Sequence, residues 1–115
     1  MKISVAQTRP VKGDIKTNID LHKKMINIAI NNGADMIIFP ELSITGYEPE
    51  LAKDLVTSQD DSRFDDFQQI SNTNQITIGV GVPTKNNAGI CISMVIFRPH
   101  KARITYSKKY IHPDE

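Results

Sequence analysis

Residues 35–47 read Asp-Met-Ile-Ile-Phe-Pro-Glu-Leu-Ser-Ile-Thr-Gly-Tyr. The apolar run from Met36 to Phe39 is closed by turn residues on both sides, which predicts a buried strand of a sheet. Pro40 ends that strand because its nitrogen has no hydrogen to donate. Glu41 therefore follows the carboxyl end of a buried strand, where open α/β sheets hold their ligands. The alternative, on these residues alone, is a glutamate that merely begins an exposed loop.

The residues before this stretch predict a strand and a helix. Ile3 and Val5 alternate with polar neighbours, which indicates a first strand ending near Gln7. A helix is predicted from Asp14 to Asn32, with Asp14 as its N-cap and one apolar face that includes His22. Because no second ligand lies at helical spacing, His22 is expected to be packed and hydrogen-bonded rather than bound to a metal.

The second half of the chain predicts one more main helix and three strands. Ser62 is expected to cap a helix that runs to about Asn72. Asp65 and Asp66 in its first turns stabilise the helix dipole, and a metal site is the weaker alternative. The expected strands cover residues 75–82, 90–97 and 102–106, with a polar turn at 83–89 and a hairpin turn at 98–101.

Composition excludes several classes of protein. The chain has 115 residues, a formal net charge of +1 and 39% hydrophobic residues, which suits a single domain. The basic residues do not form the continuous cluster that a nucleic-acid partner would require. No apolar run approaches the roughly 20 residues of a membrane helix. Cys91 is the only cysteine, which excludes an internal disulfide and fits a reducing compartment. The expectation is a soluble cytoplasmic protein.

Two motifs resemble those of the carbon–nitrogen hydrolase (nitrilase/amidase) family. Residues 39–47, Phe-Pro-Glu-Leu-Ser-Ile-Thr-Gly-Tyr, resemble its glutamate motif, which implies that Glu41 is the general base of a Glu-Lys-Cys triad. Residues 106–112, Tyr-Ser-Lys-Lys-Tyr-Ile-His, resemble its lysine motif, which implies Lys108 as the catalytic lysine. Lys109 is the alternative, because Tyr110 stands where the family commonly has histidine. Tyr47 is expected either to line the substrate pocket or to pack as a loop aromatic.

The resemblance also implies an architecture and a reaction. The family fold is α/β, a four-layer αββα-type sandwich that pairs again across a dimer, and residues 1–115 match its first, N-terminal part. The implied substrate is a small-molecule amide or nitrile, the chain is expected to form a homo-oligomer, and no cofactor is implied because the triad needs neither metal nor nucleotide. The family's nucleophilic cysteine follows the lysine, beyond Glu115, so this chain carries two of the three triad positions. Cys91 precedes Lys108 and is expected to be an inert core thiol.

Two other classes remain open at this stage. A half-sandwich leaves one apolar sheet face uncovered, so the chain could be a truncated, non-catalytic module that self-associates or binds a partner. A flavodoxin-like domain such as a signalling receiver is disfavoured, because the last two predicted strands form an antiparallel hairpin with no helix between them.

Overall fold

The computed structural model describes residues 1–46, 52–86 and 89–110, without the side chains of 52, 53, 86 and 108–110. In chain order the elements are β1 Ile3–Val5, α1 Ile15–Asn31, β2 Met36–Ile38, α2 Ala52–Leu55, a 3₁₀ turn Ser62–Phe64, α3 Asp65–Asn74, β3 Thr77–Asn86, β4 Gly89–Phe97 and β5 Ile104–Tyr110.

The five strands form one mixed sheet in the order β1-β2-β3-β4-β5. The first three strands are parallel to one another, and helices lie in the connections between them. Strand β4 is antiparallel to both β3 and β5. The α/β class and the final hairpin are therefore confirmed, and the sheet differs from the all-parallel sheet of a flavodoxin-like domain.

Helix α1 begins and ends where the sequence predicts. The Asp14 side chain caps it by accepting a hydrogen bond from the backbone N–H of Thr17 at 3.1 Å. Gly33 follows the helix with a φ of +77°, a conformation that costs glycine little. The predicted apolar face is buried, and His22 is only 1% exposed.

The start of the next helical segment differs from the prediction. Asp61, not Ser62, is the cap, because its carboxylate accepts the backbone N–H of Arg63 at 2.9 Å and also pairs with the Arg63 guanidinium at 2.7 Å. A charged carboxylate with a second partner competes better for this position than a neutral hydroxyl. Ser62 instead begins a 3₁₀ turn that leads into α3.

Strand β3 continues through Pro83, where a turn was predicted. The carbonyl of Pro83 accepts a hydrogen bond from the N–H of Thr57 at 2.9 Å, so its backbone polar groups point away from β4. Pro83 therefore lacks its N–H on the side of β3 that faces away from β4, beyond the end of β2. The pairing of β3 with β4 is unaffected. The prediction that β3 ends at Val82 was wrong for this reason.

The two faces of the sheet differ in what covers them. One face packs on α1 and α3 and forms the core, with Phe39, Phe64, Phe67 and Phe97 each at most 1% exposed. The opposite face, here called the outer face, carries one row of apolar side chains on each of four strands. Its members are Ile3, Val5, Met36, Ile38, Met94, Ile96, Ile104 and Tyr106.

The outer face is partly open to solvent. Val5 is 77% exposed and Tyr106 is 68% exposed. Within the described residues, no helix is long and apolar enough to cross a membrane.

Candidate active site

The segment of residues 40–46, here called the Glu41 turn, follows β2 and crosses β3. The last bond of the β2–β3 ladder runs from the N–H of Phe39 to the carbonyl of Gly79 at 2.9 Å. The chain then passes directly over Gly81, where an added Cβ would lie 2.3 Å from the Pro40 oxygen and 2.4 Å from the Leu42 nitrogen. Only a residue without a Cβ allows this approach.

Three hydrogen bonds, from different parts of the fold, hold the backbone of the Glu41 turn. The N–H of Ile44 donates to the carbonyl of Gly81 at 3.0 Å, and the N–H of Gly13 donates to the carbonyl of Thr45 at 2.9 Å. The side-chain amide of Asn18, on α1, donates to the carbonyl of Ile44 at 2.8 Å. Because a turn with so many partners has few alternative conformations, the position of its exposed members is fixed.

Burial within the turn singles out Glu41. The four residues that follow it are each at most 2% exposed, whereas Glu41 itself is exposed. Leu42 has a φ of +52°, an unfavourable region for a residue with a Cβ. Such strain costs about 1–3 kcal/mol and persists only where surrounding contacts enforce it. The carboxylate is thus carried on the outside of a strained, tightly held turn.

A chain of hydrogen bonds runs beneath this turn through His22. The Nδ1 atom of His22 lies 2.6 Å from the carbonyl oxygen of Asn18, which can only accept, so Nδ1 carries the proton. In the neutral ring Nε2 then accepts from the hydroxyl of Ser43 at 2.8 Å. The same Ser43 oxygen accepts from the N–H of Gly81 at 3.1 Å.

The surroundings of His22 favour its neutral form. Burial lowers the pKa of His22 to about 4, although the hydrogen bond to the Asn18 carbonyl opposes this shift. The ring also stacks on Phe39 with 4.1 Å between centroids. The prediction that His22 is a packed, hydrogen-bonded histidine is confirmed.

Strand β5 brings the lysine pair to the same end of the sheet. Tyr106 pairs with Met94, which in turn pairs with Gly81, so one row of residues crosses the sheet from the Glu41 turn to β5. Lys108 follows two residues later and lies inside β5, although the strand was predicted to end at Tyr106. At ordinary strand spacing β5 lies roughly 10 Å from β3.

The register places a β-bulge at Lys108. Ser107 pairs with Ser93 and Lys109 pairs with Ile92, so Lys108 is the extra residue between two paired positions. Bulges change the direction of a side chain and are over-represented beside active sites. The side chains of Lys108 and Lys109 lie outside the described residues, so the choice between them stays a prediction.

A row of hydroxyl groups lies beside this bulge. The Thr84 and Ser93 hydroxyl oxygens are 2.7 Å apart, and the Ser93 and Ser107 oxygens are 3.0 Å apart. This row links β3, β4 and β5 next to the bulged position. Sequence reasoning did not identify it, because the link depends on strand register.

Cys91 lies on the opposite side of the sheet from the Glu41 turn. It is 2% exposed and shares the helix-covered face with Val95 and Phe97, since residues two apart on a strand share a face. The Glu41 turn lies over Gly81, whose missing Cβ points to the other face. The burial expected for a core thiol is confirmed.

The remaining candidate residues are the acidic pair Asp65 and Asp66, and Tyr47. Asp65 pairs with Arg103 at 2.8 Å and Asp66 pairs with Lys23 at 2.6 Å. Across residues 1–46, 52–86 and 89–110, no three His, Cys, Asp or Glu side chains are grouped as a metal site requires. Tyr47 lies outside the described residues.

Comparison with known proteins identifies the family. The family model for carbon–nitrogen hydrolases matches residues 2–114, and this chain belongs to that family. The Thermotoga maritima protein named glutamine-dependent NAD(+) synthetase is 34% identical over 50 residues, which are 44% of this chain and 9% of that protein. The Acinetobacter baylyi protein of the same name is 45% identical over 49 residues, 43% of this chain and 9% of that protein.

Solved structures share the fold. An amidase from Nesterenkonia sp. AN1, solved in complex with butyramide, matches with a TM-score of 0.77 and 22% identity over 94% of this chain and 42% of its own. An N-terminal amidase matches with a TM-score of 0.77 and 24% identity over 97% of this chain and 28% of its own. This chain therefore spans less than half the length of each of these proteins.

Proposed function

We propose that residues 1–115 form the N-terminal part of a carbon–nitrogen hydrolase domain that cleaves an amide bond, with Glu41 as the general base. The observation that supports this most is the Glu41 turn. Its backbone is clamped by β3 and α1, while Glu41 stays exposed at the end of a buried strand. Catalysis requires a base held in one place, and this arrangement supplies one.

The proposed chemistry follows from the residue types. A thiol attacks an amide carbon only as a thiolate, so a base must accept its proton, and Glu41 takes that role. Negative charge then develops on the substrate oxygen, and Lys108 is proposed to stabilise it as a cation. The spacing of the motif supports Lys108 over Lys109, because Lys108 follows Tyr106 by two residues.

We propose that the nucleophilic cysteine lies outside these 115 residues. Cys91 is 2% exposed and lies on the helix-covered face, away from the Glu41 turn. A change of rotamer cannot bring the Cys91 thiol to the opposite face of the sheet. The third member of the triad must therefore reach the outer side of the sheet from another segment.

The substrate is proposed to be a small primary amide. The curated relatives are glutamine-dependent by name, and the amidase structures hold butyramide or short peptides that begin with Asn or Gln. All of these compounds carry a carboxamide. A nitrile is the less supported substrate, and we propose no metal or nucleotide cofactor for the hydrolytic step.

Release of ammonia by the complete gene product tests this proposal. The substrates are L-glutamine, butyramide and an Asn-Glu peptide, and the variants are Glu41→Gln, Lys108→Ala and Lys109→Ala. Glu41→Gln is expected to lower kcat by about 10²–10⁴-fold, the usual contribution of a general base. Lys108→Ala is expected to cost about 10²–10³-fold, and Lys109→Ala only a few-fold.

Two results contradict parts of this account. Near wild-type turnover in a folded Glu41→Gln variant rules out Glu41 as the base. A large loss in Lys109→Ala together with an active Lys108→Ala variant moves the cation to Lys109.

A second candidate function is self-association without catalysis. It is favoured by the outer face, where Ile3, Val5, Ile104 and Tyr106 are 42–77% exposed. An open apolar face of this kind marks an interaction surface. Sedimentation of the 115-residue chain is expected to show a dimer or larger species that Val5→Lys dissociates. A soluble monomer across the micromolar range counts against this candidate.

A further inference from the structure

We infer that Ser43 and His22 are positioning residues for Glu41, because their shared hydrogen bonds fix the backbone of the Glu41 turn. This inference rests on the proposed role of Glu41. Neither side chain is expected to touch the substrate, since His22 and Ser43 are each 1% exposed. They act through the conformation of the turn.

The Ser43 hydroxyl lies between the sheet and α1. Its oxygen lies 3.1 Å from the nitrogen of Gly81 on β3 and 2.8 Å from Nε2 of His22 on α1. One hydroxyl, two residues after Glu41, thus joins the turn to both layers of the fold. Without it the buried N–H of Gly81 loses this acceptor, which costs about 1–3 kcal/mol unless the turn shifts.

The direction of each hydrogen bond around His22 is fixed. The Asn18 carbonyl requires a proton on Nδ1 of His22, so Nε2 of the neutral ring must accept from Ser43. The Ser43 oxygen in turn accepts a hydrogen bond from the N–H of Gly81. Each donor in this series of hydrogen bonds has one acceptor, so the three bonds support one another.

The polar atoms of His22 have a role that is separate from the packing of its ring. His22 lies among aromatic rings, stacked on Phe39 and 6.1 Å from the centroid of Phe67. An apolar ring of similar size would fill the same space without the cost of burying an imidazole. The polar atoms of His22 are used only to bind Asn18 and Ser43 among the contacts of the described residues, so their effect is on the turn.

The test compares two buried serines in the complete gene product. Ser43→Ala removes the hydroxyl beneath the Glu41 turn, while the matched control Ser71→Ala removes a fully buried hydroxyl on α3 whose one hydrogen bond within the described residues is to the Phe97 carbonyl, at 3.4 Å. We expect Ser43→Ala to lower kcat for ammonia release by about 10–100-fold with KM within twofold, because misplaced catalytic groups cost such factors. Ser71→Ala is expected to keep kcat within twofold.

A second pair of variants tests rescue and remains informative if Ser43→Ala does not fold. His22→Phe keeps the stacked ring but removes the acceptor for the Ser43 hydroxyl. His22→Gln places an amide oxygen near the position of Nε2 and restores that acceptor. We expect kcat to fall at least tenfold in His22→Phe and to recover by at least threefold in His22→Gln, whereas a packing role predicts that Phe is the better substitute.

Glu41→Gln in the same assay distinguishes the role of Glu41 as the base from the positioning role of Ser43 and His22. If Glu41→Gln is inactive while folded Ser43→Ala and His22→Phe turn over at the wild-type kcat, the positioning role is refuted and the role of Glu41 stands. If Glu41→Gln is itself active, both fall together, since there is no base to position.

Discussion

Gly81→Ala tests the close contact on which the placement of Glu41 depends. The new Cβ would lie 2.3 Å from the oxygen of Pro40 and 2.4 Å from the nitrogen of Leu42, whereas ordinary contacts are 3.4–4 Å. Both neighbours are backbone atoms of the Glu41 turn, so the turn must move by about 1 Å to make room. Overpacking of this kind costs about 1–3 kcal/mol of unfolding free energy. A displacement of about 1 Å at a catalytic group costs about 10²-fold in rate.

Gly79→Ala is the matched control on the same strand and the same face. There the new Cβ would lie 3.0 Å from side-chain atoms of Ile38 and Met94, which can rotate away. The assay is kcat/KM for ammonia release by the complete gene product, with urea unfolding measured alongside. We expect Gly81→Ala to lose about 10²-fold and Gly79→Ala less than threefold. Equal activities in the two variants would refute the placement of the turn against β3.

Four further substitutions have expected effects on the stability of the protein. The unfolded chain protonates His22 at a higher pH than the folded protein, so the contribution of His22 to the unfolding free energy is constant above about pH 6.5 and falls by up to about 1.4 kcal/mol per pH unit toward pH 4; urea titrations at pH 7, 6 and 5 should show a steeper loss of stability in wild type than in His22→Phe. Arg103→Ala should cost about 1–2 kcal/mol, because its side chain is 14% exposed and its guanidinium forms two hydrogen bonds and lies 5.2 Å from the centroid of the Phe97 ring, whereas Lys23→Ala, in a more exposed pair, should cost less than about 1 kcal/mol. Asn18→Ala should cost about 3 kcal/mol by chemical denaturation, because three buried or part-buried hydrogen bonds are lost; a cost below about 1 kcal/mol contradicts its role as a clamp.

Local sequence patterns predicted most of the fold. Helix α1 was predictable because its cap at Asp14, its apolar spacing and Gly33 are all local signals. The buried strand before Pro40 and the final hairpin were predictable for the same reason. The boundary errors at Ser62 and Pro83 arose where a tertiary or charged partner outweighed the local preference, and β5 continues past its predicted end at Tyr106.

The support of the candidate site could not be predicted in the same way. Glu41 was predicted from its motif, but Ser43 and Gly81 meet only after β2, β3 and α1 have packed together. The polar pair Asn18 and His22, four residues apart on a buried helix face, was the one available signal. Ser43, the partner of His22 in the turn, lies 21 residues away along the chain, so no local spacing could reveal it.

A crystal structure of the complete gene product measures the central claim most directly, as the distance between the Glu41 carboxylate and the Lys108 ammonium. The account predicts that the two groups lie within about 4 Å of each other on the outer side of the sheet, the range of an ion pair. A structure in which Lys108 points to the helix-covered face, or in which more than about 8 Å separates its nitrogen from the carboxylate, would contradict the account.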